Sequence, residues 1–272
     1  MSATLVIEAG QTERQYWRDL WRYRELFYLL AWRDFLIRYK QTAVGIAWAL
    51  IRPLLMLLAL TLVGKAGSFS TGGAPSPLFY FCGLLPWQFF STAMSESGNS
   101  LVTNSNLVSK IYFPRLVVPA SSVLVSFMDF LIAAVFLVPM MLYYHVVPPR
   151  QIAFIPMFLL LDFALATGAG FWIAALTVKY RDFRFVVPFI VQFGIFVSGV
   201  FPITQHTHET VRLVCSFNPI VGIIDGFRWC LLGGGNSVRI SELLLSTAVT
   251  VMLLLSGLAY FRRTERTFAD II

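Results

Sequence analysis

The sequence predicts an all-α membrane protein. It would have six transmembrane helices, an N-terminal amphipathic interface helix, and short re-entrant or periplasmic helices between spans five and six. Three observations carry this. Of the 272 residues, 57% are hydrophobic and 13% charged, against about 45–50% and about 25% in soluble domains. Mean hydropathy is +0.72. The apolar residues also fall into long runs with basic residues gathered between them. So little polar surface cannot cover a globule in water, which excludes a soluble domain, a disordered chain and a disulfide scaffold.

A span needs about 20 mostly apolar residues to cross about 30 Å of hydrocarbon. On that measure the spans fall near 44–64, 78–101, 117–144, 152–176, 185–202 and 243–261. The third and sixth are the most apolar. The second is half polar, with STAMSESGNSLV at 91–102, and can cross only if that half packs inside protein. The fifth is short and carries Pro188 and Pro202.

The basic residues set the orientation. With both termini cytoplasmic, fifteen lie inside: seven in residues 1–43, then Lys110 and Arg115, then Lys179, Arg181 and Arg184, then Arg262, Arg263 and Arg266. Five lie opposite: Lys65, Arg150, Arg212, Arg228 and Arg239. That asymmetry favours an N-in, C-in arrangement and explains a net charge of +7 without nucleic acid. Ahead of the first span, Trp17, Trp21, Tyr28, Trp32 and Tyr39 recur at four- or seven-residue steps among arginines. They suit an interface helix or an aromatic anchor, on the cytoplasmic face in either case. The N-terminus lacks a basic end followed by an apolar core, so no cleavable signal peptide is expected.

Residues 203–240 are too polar to cross, yet Asn218 suits a cap, Pro219 a first helical position and Gly233–Gly235 a stop. Two short helices hinged at Asn218–Pro219 are expected, dipping into the outer interface. The division is therefore a cytoplasmic segment at 1–43 and a single membrane domain at 44–272.

Catalytic motifs are missing. The pair Gly64–Lys65 is followed by Ala66, with Ala59 where a P-loop needs glycine, and no G-x-S-x-G elbow occurs. His206, His208 and Glu209 read as a polar loop rather than a metal site. Cys215 and Cys230 read as free thiols. The ionisable groups inside spans are Arg52, Glu96, Asp129 and Asp162. Arg52 is expected to snorkel and the two aspartates to pair or hydrogen-bond between helices. Four scattered groups do not make a proton relay, so the chain describes a membrane path without its own energy source.

Four ordered blocks are recognisable. WRYRELFYLLAWRDFLIRYKQTAVGIAWALIRPLLMLL at 21–58 closely resembles the start of the permease subunits of polysaccharide ABC exporters. That is the type-2 ABC family moving O-antigen, capsule or teichoic acid chains. GLLPWQFFSTAMSESGNSLVTNSNLVSKIYFPRLVVP at 83–119, VKYRDFRFVVPFIVQFGIFVSGVFPI at 178–203 and FNPIVGIIDGFRWCLLG at 217–233 continue the resemblance, which is strongest to O-antigen permeases.

The resemblance implies a homodimer in the bacterial inner membrane, joined to two P-loop nucleotide-binding subunits that bind ATP and magnesium, with no cofactor in this chain. It makes Asn106, Lys110, Ile111, Tyr112, Phe113, Pro114 and Arg115 the loop that couples to the ATPase, with Tyr180, Arg181 and Asp182 bracing the same interface. It places Asn218, Pro219, Asp225, Arg228 and Trp229 on outer gate helices. Trp87, Phe89, Phe90, Phe196 and Phe201 are candidates for stacking on a glycan in transit. Two other functions are open: a type-2 permease for a drug or lipid, and a membrane-embedded glycosyl- or acyltransferase.

Overall fold

The computed structural model describes residues 13–40, 45, 47–67, 71–110, 113–201, 217–233, 239–265 and 268. Two helices open the chain, α1 (Glu13–Arg22) and α2 (Arg24–Lys40), followed by α3 (Ala47–Ala66), α4 (Ser76–Thr103) and the one-turn α5 (Ser105–Lys110). Then come α6 (Val117–Val135), α7 (Leu137–Tyr143), a 3-10 turn (Arg150–Phe154) and α8 (Ile155–Lys179). The remainder is α9 (Phe183–Val197), α10 (Pro219–Leu232) and α11 (Ile240–Thr264), with no strand among the described residues.

Four segments are long and apolar enough to cross a membrane: Ala47–Ala66, Val117–Tyr143, Arg150–Lys179 and Ile240–Thr264. They account for four of the six expected spans. The other two fall short for opposite reasons. α4 has 28 residues but a polar second half, and α9 is apolar but only 15 residues long, about 22 Å at 1.5 Å per residue. The expected fifth span over 185–202 is thus a shorter helix, and its chain turns at Gly199, whose φ of +82° suits glycine. Val117–Tyr143 is interrupted at Phe136. Pro139 lies three residues on and cannot donate to the carbonyl of Val135.

α4 is the axis of the fold, packed on α8 and α6 and touching α3, α9 and α10. Its polar half lies inside, meeting the condition that half had to satisfy. Ser91, Ser97, Gly98 and Ser100 are buried. Ser91 Oγ and Ser100 Oγ donate to Gln88 O at 3.2 Å and Ser97 O at 2.7 Å. Small residues whose hydroxyls bond within their own helix let neighbouring backbones approach.

α8 and α11 use the same device. A Cβ on Gly168 would meet the backbone of Leu254, and one on Gly257 the carbonyl of Gly168. Trp172 closes the seam, donating from Nε1 to Ser256 Oγ at 3.0 Å and stacking on Tyr260 at 4.4 Å. Gly257→Leu should wedge the pair apart and cost about 2–3 kcal/mol, read as a lower unfolding midpoint in detergent. Ser256→Ala, which loses two half-buried hydrogen bonds, one from Trp172 Nε1 and one to Leu253 O at 3.3 Å, should cost about 1–2 kcal/mol.

The buried side chains form two clusters. The larger, around Phe79, Phe81, Phe130, Phe158 and Phe227, fills the middle of the bundle. The smaller gathers Leu30, Val108, Phe113, Phe171, Phe261 and Phe268 where the short α5 meets both ends of the chain.

Candidate functional site

The smaller cluster explains how a short polar loop holds its shape. Of the loop expected to couple, Asn106 and Lys110 are exposed, while Val108, Phe113, Pro114 and Leu116 are buried. Ile111 and Tyr112 lie outside the described residues. Polar contacts tie the loop to both termini. Arg33 Nη2 donates to Asn104 Oδ1 at 2.7 Å, and Arg115 Nη1 donates to the carbonyl of Glu265. Tyr16 OH donates to Glu265 Oε2 at 3.0 Å, and Arg262 lies over the Tyr16 ring. The loop is therefore an exposed basic tip on a rigid base built from α2 and the end of α11. Tyr180, Arg181 and Asp182 are exposed as well. No hydrogen bond or ion pair among the described residues joins them to α5 or Arg115; Lys179 Nζ lies over the Tyr180 ring at 5.2 Å.

At the other end α10 begins as its sequence predicts. Asn218 Oδ1 accepts from Ile220 N at 3.4 Å, Pro219 takes the first helical position, and Gly233 ends the helix at φ +64°. The expected partner helix falls at 202–216, outside the described residues, as do Cys215, His206 and His208. α10 is packed inside the bundle rather than standing free of it. It is buried against α4, α8 and α11, because Gly222 sits against Ser246 and Gly226 against Phe158.

Arg228, counted above among the basic residues opposite the cytoplasmic side, is 1% exposed. It donates from Nη1 to Gly199 O at 2.7 Å, from Nη2 to Val200 O at 2.6 Å and from Nε to Phe79 O at 3.4 Å. Asp225 pairs with it at 3.6 Å, and its guanidinium lies 3.9 Å from the Phe79 ring centroid. One guanidinium thereby holds α10, the turn after α9 and the start of α4 together. Trp229 is half-buried and packs on Phe154.

The five aromatic candidates divide by environment. Phe89 is walled in by Phe127, Phe130 and Phe163, and Trp87 lies against Gly194. Phe201 is buried, with Phe196 stacked on it at 5.6 Å. Phe90 is half-buried and Phe196 is 55% exposed.

A further polar site was not foreseen as a unit. Arg38 pairs with Asp129 and, at 3.0 Å, with Glu96, while Tyr39 OH also donates to Asp129. Burial pulls the Arg38 pKa down, but the charges of Asp129 and Glu96 outweigh it and hold the value above the ordinary one. Desolvation, followed by the Asp129 hydrogen bond and charge, holds the Tyr39 phenol above its ordinary value, so it stays a donor. Arg38 stands between two cavities and lines both. One of about 430 Å³ is bordered by Trp48, Arg52, Gln88, Thr92, Ser126 and Asp129. The other, of about 580 Å³, is bordered by Arg33, Glu96, Asn99, Asn104 and Ser122. The sequence marked Asp129 and Glu96 as ionisable, but 91 residues separate Arg38 from Asp129 and nothing local joins them. Asp162 departs from expectation: both carboxyl oxygens are buried and neither is hydrogen-bonded among the described residues.

A family model for ABC-2 type transporters matches residues 25–232, running from the start of α2 to the end of α10. The chain belongs to the ABC-2 type transporter family. Among curated relatives, an O-antigen export system permease protein of Myxococcus xanthus is 25% identical over 258 residues, covering 94% of this chain and 98% of that protein. One from Klebsiella pneumoniae is 23% identical over 250 residues, covering 91% and 95%. As an ABC-2 family member with several apolar spans, the chain is a multi-pass membrane protein, a transport component that works with an ATP-binding subunit.

Proposed function

We propose that this chain is the transmembrane subunit of an exporter that carries a lipid-linked polysaccharide of the O-antigen kind across the bacterial inner membrane. Two copies form the conduit, with six spans each and both termini cytoplasmic. ATP is hydrolysed by two separate nucleotide-binding subunits. The carrying observation is the end-to-end similarity to O-antigen export permeases, 98% of one and 95% of another being covered. A likeness of that extent includes the interface helix, the polar α4 and the buried α10 together.

Nucleotide binding closes the partner subunits, which press on the exposed tip at Asn106 and Lys110, and possession of a rigid base makes that push effective. The base runs from Phe113 and Arg115 into α2 and α11, so force on the loop tilts whole helices rather than bending a coil. This is a two-state membrane element biased by a ligand that binds one state better. At the outer end, α10 and the turn after α9 move as one body, joined by Arg228, to open the exit. Tyr180, Arg181 and Asp182 offer a second contact for the ATPase. Phe90 and Phe196, which show a face outside the core, are the better placed of the five aromatics to meet a glycan.

The reading is tested in inverted vesicles containing lipid-linked polysaccharide. ATP should drive polysaccharide into the lumen only when this chain and its P-loop partner are both present. Pumping by this chain alone on nucleotide addition would overturn the division of labour. ATP-driven movement of small amphiphiles without polysaccharide would replace the cargo.

A further inference from the structure

The cavity beside Arg38 has a chemistry that the transport cycle described above does not use. We propose that it binds the junction between sugar and phosphate in a lipid-linked glycan, with Trp48 stacking on the sugar ring and Arg52 meeting the phosphate. The proposal rests on the polysaccharide reading and adds the group that is recognised.

Two features define the ligand. The first is charge. Arg38 is matched by Asp129 and Glu96, and Asp129 spends its oxygens on Arg38 and Tyr39. Arg52 is exposed and has no ion-pair partner among the described residues. Within this cavity Arg38 and Asp129 cancel, and Glu96 lines the neighbouring cavity instead, so Arg52 is the remaining cation in the wall, next to Trp48, which suits an anion joined to a neutral polar body. The second is the mixture of surfaces. Trp48, 42% exposed, presents a flat apolar face with a polar edge. Gln88 and Thr92 make no side-chain hydrogen bond among the described residues, so both stay available to hydroxyl groups. Apolar walls with a few placed polar groups, in a volume of about 430 Å³, are what a small-ligand site requires.

Position agrees. Trp48 and Arg52 are four residues apart on α3 and share one face near its start. The cavity's other walls include α2, the interface helix, through Arg38 and Tyr39. In the proposed orientation that is headgroup depth on the cytoplasmic side, where a lipid-linked phosphate lies and its first sugar points toward the protein.

The test uses the full chain in lipid nanodiscs. The probes are short polyprenyl diphosphates carrying a single glucose, galactose or N-acetylglucosamine, and the same lipid diphosphate without sugar. At least one glycosylated probe should bind about tenfold more tightly than the bare lipid, a difference of about 1.4 kcal/mol. Trp48→Ala should erase that preference. Arg52→Gln should weaken every probe about tenfold and leave the preference intact. Both side chains are exposed, so thermal unfolding should match wild type.

Equal binding of the bare and all three glycosylated probes overturns the site, as does a preference that survives Trp48→Ala or an Arg52→Gln protein that binds normally. Vesicle export by the wild-type complex, measured in parallel, separates the two readings. Export with no sugar preference refutes this site alone, whereas sugar-dependent binding without export refutes the transport reading.

Discussion

Arg228→Met destabilises the protein by about 4 kcal/mol, the cost of breaking a buried charged network from one side. Methionine restores most of the volume but leaves the carbonyls of Phe79, Gly199 and Val200 without their donor. Asp225 loses its pair at 3.6 Å. Arg228→Lys should fall between, because an ammonium keeps the charge but cannot fork to two carbonyls that lie on successive residues. Exposed Arg181→Ala should change stability by less than about 0.5 kcal/mol. A detergent unfolding titration of the three variants checks the order. An Arg228→Met protein as stable as wild type would show that the turn after α9 is held by something else.

The second large effect divides one loop into two kinds of residue. Phe113→Ala removes a 4%-exposed ring from the cluster joining α5 to both chain ends, and should cost about 3–5 kcal/mol. Its partner ATPase should then dissociate because the base has softened. Lys110→Glu, by contrast, changes an exposed charge and should leave stability within about 0.5 kcal/mol while weakening capture of the ATPase about tenfold. Co-purification in mild detergent, set beside unfolding midpoints, distinguishes them. Full ATPase retention by Lys110→Glu would remove the loop tip from the docking surface. Loss of stability in that variant would mean that Lys110 supports the fold rather than the partner.

The contrast between α4 and α10 marks the reach of local pattern. α4 reads as a weak span because its second half is polar, and only packing shows those serines seated against α8 and α6, with the Ser91 and Ser100 hydroxyls satisfied within their own helix. α10 reads correctly at its ends, where Asn218, Pro219 and Gly233 act through backbone geometry a few residues away. Its burial was not legible, since Gly222 and Gly226 look like helix weakeners until Ser246 and Phe158 are found against them. The burial of Arg228 was not legible for the same reason: a lone arginine in an outer segment looks like a topology signal, and its three carbonyl partners carry no side-chain signature.

Composition, run length and the placement of lysines and arginines determined by themselves that this is a helical membrane protein, where its apolar helices lie and that it has no P-loop. Those properties follow from lipid replacing water as solvent, a constraint each segment feels separately. Tertiary structure alone decided that Arg38 meets Asp129 and Glu96, that the loop between α4 and α6 stands on α2 and the end of α11, and that Asp162 is buried with no hydrogen-bond partner among the described residues. Such pairings join residues up to 249 positions apart, and their energies depend on distance and burial in three dimensions, which no periodicity along the chain records.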